Sequence, residues 1–334
     1  MPTPSQTAAK LARRRRGLLA IAALLAPLLP VLPSATVLAR PAATATASDS
    51  APHSDTMQVS MHDVVLYPYD DVTAAVASLR GQVRPERPRR PIVMDDVTSY
   101  RIDVDSAAVR LTADDMTHLM DRHILPAAHT AIKEVTVHFE TDRITMTGTM
   151  VKLGLPIPFT ATATLAPTTQ GDLRVHIVSM QAAGIVSKQL IDSLGLPLSV
   201  LAQPTDTNVF HIVGDDMIVP VLSMFPPPRF GGRVTAVQVS PTGLGITLGR
   251  PPSPESRNDS NIAFRGGTLF FAKLTMHDTD LTVVSNDPAQ RLAFSPAHYY
   301  AQLEAGDTRS LPNLGLVAHV RNFQAIQPAA APAP

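Results

Sequence analysis

The amino-acid sequence predicts an α+β fold, on the basis of one hairpin and one helix. The hairpin is predicted for residues 135–165, where apolar and threonine side chains alternate with the two-residue period of a half-buried strand. Gly and Pro interrupt the alternation at 153–158, as expected of a connection between two strands. One face carries Ile144, Met146, Gly148 and Met150 before the break and Phe159, Ala161, Ala163 and Leu165 after it.

The helix is predicted from Thr112 to about Lys133. Thr112 is a suitable N-cap, and Asp114 and Asp115 fall in the first turn, where the helix dipole favours anions. Pro126 is expected to kink the helix or end it early. Residues that recur at helical spacing form its apolar face: Met116, Leu119, Met120, His123, Ile124, Ala127 and Ala131.

Composition divides the chain into six segments. The main domain is predicted at 61–249 and a small C-terminal β-rich module at 261–324. Polar or Pro-rich stretches separate them from each other and from the ends, and such stretches are typical of linkers. The remaining segments are an N-terminal targeting segment at 1–39, a disordered linker at 40–60, a second linker at 250–260 and a disordered tail at 325–334.

The N-terminus has the layout of a secretory signal peptide. A basic stretch, KLARRRR, precedes an apolar run and small-residue cleavage candidates. Residues 18–38 nearly reach the ~20 apolar residues of a membrane-spanning helix, although Pro27, Pro30 and Pro33 weaken that alternative. We therefore expect a periplasmic or secreted protein, with anchoring to the inner membrane by residues 18–38 as the alternative.

Composition also limits the function classes. The chain has no cysteine, which excludes thiol nucleophiles, thiolate metal sites and disulfides. Residues 1–40 carry six basic and no acidic residues, which leaves 22 of the 28 basic residues against all 28 acidic ones. That balance argues against nucleic acid as an obligate partner. Twelve methionines and no tryptophan predict an adaptable apolar interior.

Catalytic signatures are missing from the sequence. There is no Walker loop, G-x-S-x-G elbow or H-E-x-x-H pair, and the paired aspartates fit turns and a helix start. No catalytic residue, metal ligand or cofactor is therefore predicted, and we expect a protein that is not an enzyme. A hydrolase of unrecognised type remains an alternative, and it would need one of four histidines to meet a carboxylate or serine in a cleft: His123, His176, His211 or His277.

Residues 147–185, TGTMVKLGLPIPFTATATLAPTTQGDLRVHIVSMQAAGI, resemble the LmeA-like family of exported bacterial phospholipid-binding proteins. The shared pattern is a strand, LG-x-P-x-P, a strand, G-x-L-x-V and a glycine, and the resemblance extends over about 106–248. It implies a tubular lipid-binding (TULIP-like) half-barrel, in which a curved antiparallel sheet wraps around a long amphipathic helix and encloses an apolar cavity. The implied partner is phospholipid or another acyl-chain lipid.

Apolar side chains of the predicted helix and strands are the candidates for that cavity, because burial of each acyl methylene contributes roughly 0.8 kcal/mol without any charged site. They are Met116, Met120, Ile124, Met146, Met150, Phe159, Val175 and Ile177. Two apolar, Pro-bearing turns are candidates for peripheral membrane contact, through Leu153, Leu155, Ile157, Met224, Phe225 and Phe230. The alternative is an envelope scaffold or interaction protein in which the same side chains fill a solid core.

Overall fold

β-strands make up most of the described chain. The computed structural model describes residues 56–326 except 89, 129, 153–154, 183–185, 188–208, 253–258, 272 and 314. All described residues belong to one unit, Ser50–Pro334. Strands account for 58% of them and helical segments for 13%, so the predicted fold, a sheet wrapped around a long amphipathic helix, is wrong.

The helical segments are short. They are α1 (Ala113–His118), a π-helical segment (Leu119–Ile124), α2 (Leu125–Ala127), a 3₁₀ turn at Val221–Met224, another at Pro296–His298, α3 (Tyr299–Glu304) and a last 3₁₀ turn at Phe323–Ala325.

The strands, in chain order, are β1 (Met57–Tyr69), β2 (Val72–Pro85), β3 (Ile92–Val93), β4 (Tyr100–Leu111), β5 (Ile132–Phe139), β6 (Ile144–Lys152), β7 (Leu155–Pro167), β8 (Leu173–Ala182), β9 (Val186–Ser187), β10 (His211–Val213), β11 (Asp216–Val219), β12 (Arg229–Gly231), β13 (Val234–Ser240), β14 (Gly243–Gly249), β15 (Asn261–Arg265), β16 (Thr268–Phe271), β17 (Leu274–His277), β18 (Asp280–Ser285), β19 (Ala293–Phe294), β20 (Asp307–Ser310) and β21 (Leu316–Val320).

The helix predicted at Thr112–Lys133 stops early. The consecutive segments α1, π and α2 end at Ala127, one residue after Pro126, which cannot donate a backbone hydrogen bond. The last part of the predicted helix belongs to β5, where buried and exposed residues alternate. Its start is as predicted, because the Asp115 N–H donates to Thr112 Oγ1 over 3.2 Å and the Thr112 N–H donates to Asp115 Oδ2 over 3.0 Å.

The largest sheet has the order β13-β14-β4-β2-β1-β15-β18-β21-β20, with β12 parallel to β4 and β19 parallel to β1. β1 and β2 form its middle, and buried and more exposed residues alternate along both strands, so that one face is buried. β15 comes from the predicted C-terminal module and pairs antiparallel with β1. The predicted main domain and the predicted module therefore contribute strands to the same sheet.

The second sheet is antiparallel and has the order β10-β11-β8-β7-β6-β5, with β9 beside β8. The predicted hairpin is confirmed within it, because β6 pairs with β7 from Ile144 opposite Ala163 to Lys152 opposite Leu155. β17, β16 and β3 form a small third sheet. The buried faces of the two large sheets meet in one hydrophobic core.

The helical segment packs along the edge of the second sheet. The Val135 N–H of β5 donates to Asp121 Oδ1 over 3.0 Å, and the Val137 N–H donates to Thr117 Oγ1 over 2.9 Å. These helix side chains thereby satisfy donors that an edge strand would otherwise expose. The helix covers a sheet edge here, whereas the predicted arrangement placed it inside a curved sheet.

Across the residues that the structure describes, no helix is long and apolar enough to cross a membrane. The alternative anchor at 18–38 and the predicted signal peptide lie outside the described residues.

Candidate apolar ligand site

Two adjoining cavities with apolar walls lie between the second sheet, the helical segment and the edge of the largest sheet. One, the Phe159 cavity, has a volume of about 70 Å³ and lies over β6, β7 and β8. The other, the Met224 cavity, has a volume of about 60 Å³ and also reaches Leu111 of β4 and Ile246 of β14. Both are lined by Met120, Met146 and Met217.

All eight residues predicted from the sequence as cavity residues line one or both of these cavities. Met116, Met120, Ile124, Met146 and Val175 line the Met224 cavity. The Phe159 cavity is lined by Met120 and Met146 again, together with Met150, Phe159 and Ile177. The structure thus brings together side chains from the helix and from three strands, whereas their binding of lipid stays a prediction.

Sequence reasoning missed the wall contributed by later parts of the chain. Met217 on β11 lines both cavities, and Met180 on β8 lines the Phe159 cavity. Met217 lies beside Val175 because β11 pairs with β8. Alternation from Val175 and Ile177 would have pointed to Ser179, but a register shift in the pairing of β7 with β8 buries Met180 instead. The pairing that places Met217 is set by distant segments.

A glycine shapes the Phe159 cavity. Gly148 of β6 lies opposite Phe159 of β7. A Cβ atom at residue 148 would come within 3.0 Å of the Phe159 ring and 3.1 Å of the Lys133 carbonyl oxygen, so a larger residue would push the ring away. The glycine in this alternating strand therefore has a packing role, which is to admit the aromatic ring against β6.

The apolar face of β7 becomes exposed toward its first residue. Ala163 is 0% exposed and Phe159 is 7% exposed, but Leu155 on the same face is 66% exposed. Ile157 between them is half-buried. The wall of the Phe159 cavity therefore continues to solvent at the β6–β7 connection.

The residues predicted to contact a membrane differ in their exposure to solvent. Leu155 is exposed and Ile157 half-buried, while Leu153 lies outside the described residues. Met224 and Phe225 line the Met224 cavity. Phe230 is half-buried on β12 and packs against the core.

Polar contacts hold the helical segment against the turn between β1 and β2. The His118 Nδ1–H donates to the Asp71 carbonyl oxygen over 2.8 Å. His123 Nε2 lies 2.8 Å from Asp71 Oδ1, and Arg122 donates to Asp71 Oδ2 over 2.9 Å. The Tyr69 ring stacks on His123 with centroids 3.7 Å apart. We call these five residues the Asp71 clamp.

Two ionisable groups of the clamp, Asp71 and Tyr69, have pKa values that differ from their ordinary ones. Partial burial alone would raise the pKa of the Asp71 carboxyl, but hydrogen bonds from His123 and Arg122 outweigh it and hold that pKa below its ordinary value. Burial raises the pKa of the Tyr69 hydroxyl, and the Asp71 charge raises it further. Asp71 is therefore an ion-pair partner of the helix at neutral pH.

The histidines of the hydrolase alternative lie on separate elements. His123 belongs to the Asp71 clamp, and His176 Nδ1 lies 2.7 Å from Asp216 Oδ1 on the neighbouring strand. His211 is exposed on β10 and His277 is exposed on β17. Over the part of the chain that the structure describes, no group of three or more His, Asp or Glu residues is arranged to hold a metal ion.

No protein-family model, curated protein or solved structure matches the chain. The resemblance of residues 147–185 to the LmeA-like family therefore stays a prediction.

Proposed function

We propose that the protein binds the acyl chain of a lipid between the second sheet and the helical segment. The observation that carries this proposal is the convergence of methionine and other apolar side chains from the helix, β6, β7, β8 and β11 on two adjoining cavities. Their common face continues to solvent at Leu155, which is 66% exposed. An acyl chain needs such a wall and gains roughly 0.8 kcal/mol per buried methylene.

The size of the cavities requires that their walls move. Volumes of about 70 Å³ and about 60 Å³ are well below the ~300–1,000 Å³ of usual ligand sites. Met120, Met146 and Met217 line both cavities, and methionine is unbranched and changes rotamer easily. Rotation of these three side chains would join the cavities into one of about 130 Å³. The rest of an acyl chain would then lie along the apolar face of β7 toward Leu155.

Lipid extraction followed by mass spectrometry tests this function. Purified protein is expected to carry lipid, and a delipidated sample is expected to gain thermal stability when palmitate is added. Met146→Arg places a charge in the wall of both cavities, so it should reduce lipid loading at least tenfold, with a smaller effect on the thermal midpoint. Met276→Arg is the matched control, because Met276 is also half-buried but lies on β17 of the third sheet.

Two results would contradict the function. One is a wild-type protein that carries no lipid and gains no stability from palmitate. The other is an equal loss of lipid loading and of folding in Met146→Arg, which would indicate that the side chains fill a solid core. The envelope scaffold would then be the better account.

We infer in addition that the protein works in the cell envelope, after export by its N-terminal segment, and that the exposed end of β7 touches the bilayer. The support is the signal-like layout of residues 1–39 and the exposure of Leu155. N-terminal sequencing of the protein from the envelope fraction should find a cleaved end. An intact Met1 on that protein would overturn the cleavage.

A further inference from the structure

A polar cavity lies on the face of the largest sheet that points away from the hydrophobic core. Its volume is about 510 Å³, within the ~300–1,000 Å³ of typical small-molecule sites. Strands β1, β2, β4 and β15 build its floor, and Arg250, Pro251 and Pro252 stand at its side. It differs from the apolar cavities both in size and in chemistry.

The strand pattern explains why polar groups gather there. Along β1, Val59 and Met61 are buried in the core, so Ser60 and His62 point to the opposite face. On β2 the same alternation buries Leu79 and turns its neighbours outward. The sequence thus places polar residues at successive outward positions of two central strands.

Strand pairing lines these residues up across the sheet. Ser60 of β1 lies opposite Arg80 of β2, and Arg80 lies opposite Ser106 of β4. In the next row, His62 lies between Ser78 and Asn261. Adjacent strands are ~4.8 Å apart, so hydroxyl, guanidinium, imidazole and amide groups lie within reach of one small molecule. The short serine side chains leave the space that longer residues would fill.

The charge of the cavity favours an anion. Among the described residues that line it, Arg80 and Arg250 bring two guanidinium groups, and Asp105 brings one carboxylate. The Arg250 N–H donates to the Asp105 carbonyl oxygen over 3.0 Å, which fixes the chain beside the cavity. Oxyanions are bound through guanidinium forks together with hydroxyl and amide donors, and each of these donor types lines this cavity.

From this we propose that the cavity is a binding site for a phosphate group. The site lies on the opposite face of β4 from the Met224 cavity, since Ser106 lines the former and buried Leu111 the latter. The proposal is therefore independent of acyl-chain binding.

Calorimetric titration of the full chain with glycerol 3-phosphate and with inorganic phosphate tests the site. Both are expected to bind, and Arg80→Gln and Arg250→Gln should each weaken binding at least tenfold. Arg110→Gln is the matched control, because Arg110 is an exposed arginine of β4 outside the cavity. Should Arg80→Gln fail to fold, Arg250→Gln decides, since Arg250 lies outside the strands.

A parallel sedimentation assay with phosphatidylglycerol vesicles distinguishes a lipid headgroup from a free solute as the source of the phosphate. Vesicle binding that depends on Arg80 and Arg250, without binding of the soluble phosphates, would assign the site to a headgroup and keep the phosphate chemistry. Absence of binding in both assays would overturn the proposal. So would equal binding by wild type and both arginine variants, or binding of glycerol with the same affinity as glycerol 3-phosphate.

Discussion

Filling the Phe159 cavity with a larger side chain should stabilise the protein and compete with its ligand. Ala161 on β7 is 3% exposed and lines this cavity of about 70 Å³, which is roughly twice the ~30 Å³ that one water occupies in the liquid. Ala161→Val adds two carbons. At about 0.8 kcal/mol for each buried carbon, less about 0.5 kcal/mol for lost side-chain freedom, the expected gain is about 1 kcal/mol.

Urea unfolding of the delipidated protein measures this gain. The matched control is Ala163→Val, because Ala163 lies on the same face of the same strand, is 0% exposed and lines neither cavity. That change overpacks the core and should cost about 1–3 kcal/mol. The two added carbons take the space of about two acyl methylenes, whose burial contributes about 1.6 kcal/mol. Palmitate affinity should therefore fall about tenfold in Ala161→Val.

Two outcomes would refute this reasoning. A loss of stability in Ala161→Val equal to that in Ala163→Val would mean that β7 faces no usable space, and the core would be solid. Unchanged palmitate binding in a stabilised Ala161→Val would leave the cavity intact as a packing defect but remove it from the lipid site.

Two further predictions concern the polar contacts of the fold. Gln302 is 0% exposed and makes three hydrogen bonds of 2.8 Å with backbone groups. Gln302→Met should therefore lower the free energy of unfolding in urea by about 3 kcal/mol. The control Gln58→Met, at an exposed site, should lower it by less than about 0.5 kcal/mol. For Asp71, a pKa held below its ordinary 3.8 means that its ionised form stabilises the folded state above that pH and that this contribution disappears as pH falls through the lowered pKa. The difference in thermal midpoint between wild type and Asp71→Asn should thus be largest near neutral pH and shrink below about pH 4; a difference that grows on acidification would contradict the assignment.

The sequence predicted the β6–β7 hairpin well because local pattern and register coincide there. Alternation marks Met146 and Met150 as one face of β6, and the short connection brings Ala161 and Ile157 directly opposite them. A two-residue period and a short hairpin leave little freedom in which side chains meet. Five cavity residues could therefore be named from the sequence, and they are Met146, Met150, Phe159, Val175 and Ile177. Met180 could not, because it lies past a register shift in β8.

The position of the helix could not be predicted in the same way. Its apolar spacing is equally suited to lying inside a sheet or along an edge, and the choice depends on Asp121 and Thr117, whose side chains accept from the N–H groups of β5. The helical pattern also extended across Pro126 into β5, where Ile132 fits both periods. The strand order of the largest sheet could not be predicted for another reason. The pairing of β1 with β15 joins segments about 200 residues apart.

The two faces of the helical segment constrain how a ligand could enter. Met116 and Met120 line the cavities, while Arg122 and His123 of the same segment bind Asp71. An outward movement of the helix would break both contacts together with that of His118 to the Asp71 carbonyl, at about 0.5–1 kcal/mol for the exposed Arg122 pair and about 1 kcal/mol for each of the other two. Rotation of methionine side chains costs less, since a strained rotamer costs about 0.5–1.5 kcal/mol. The entry path with the lower free-energy cost for an acyl chain therefore leaves the helix in place. It runs from the exposed end of β7 at Leu155 along the apolar face of that strand.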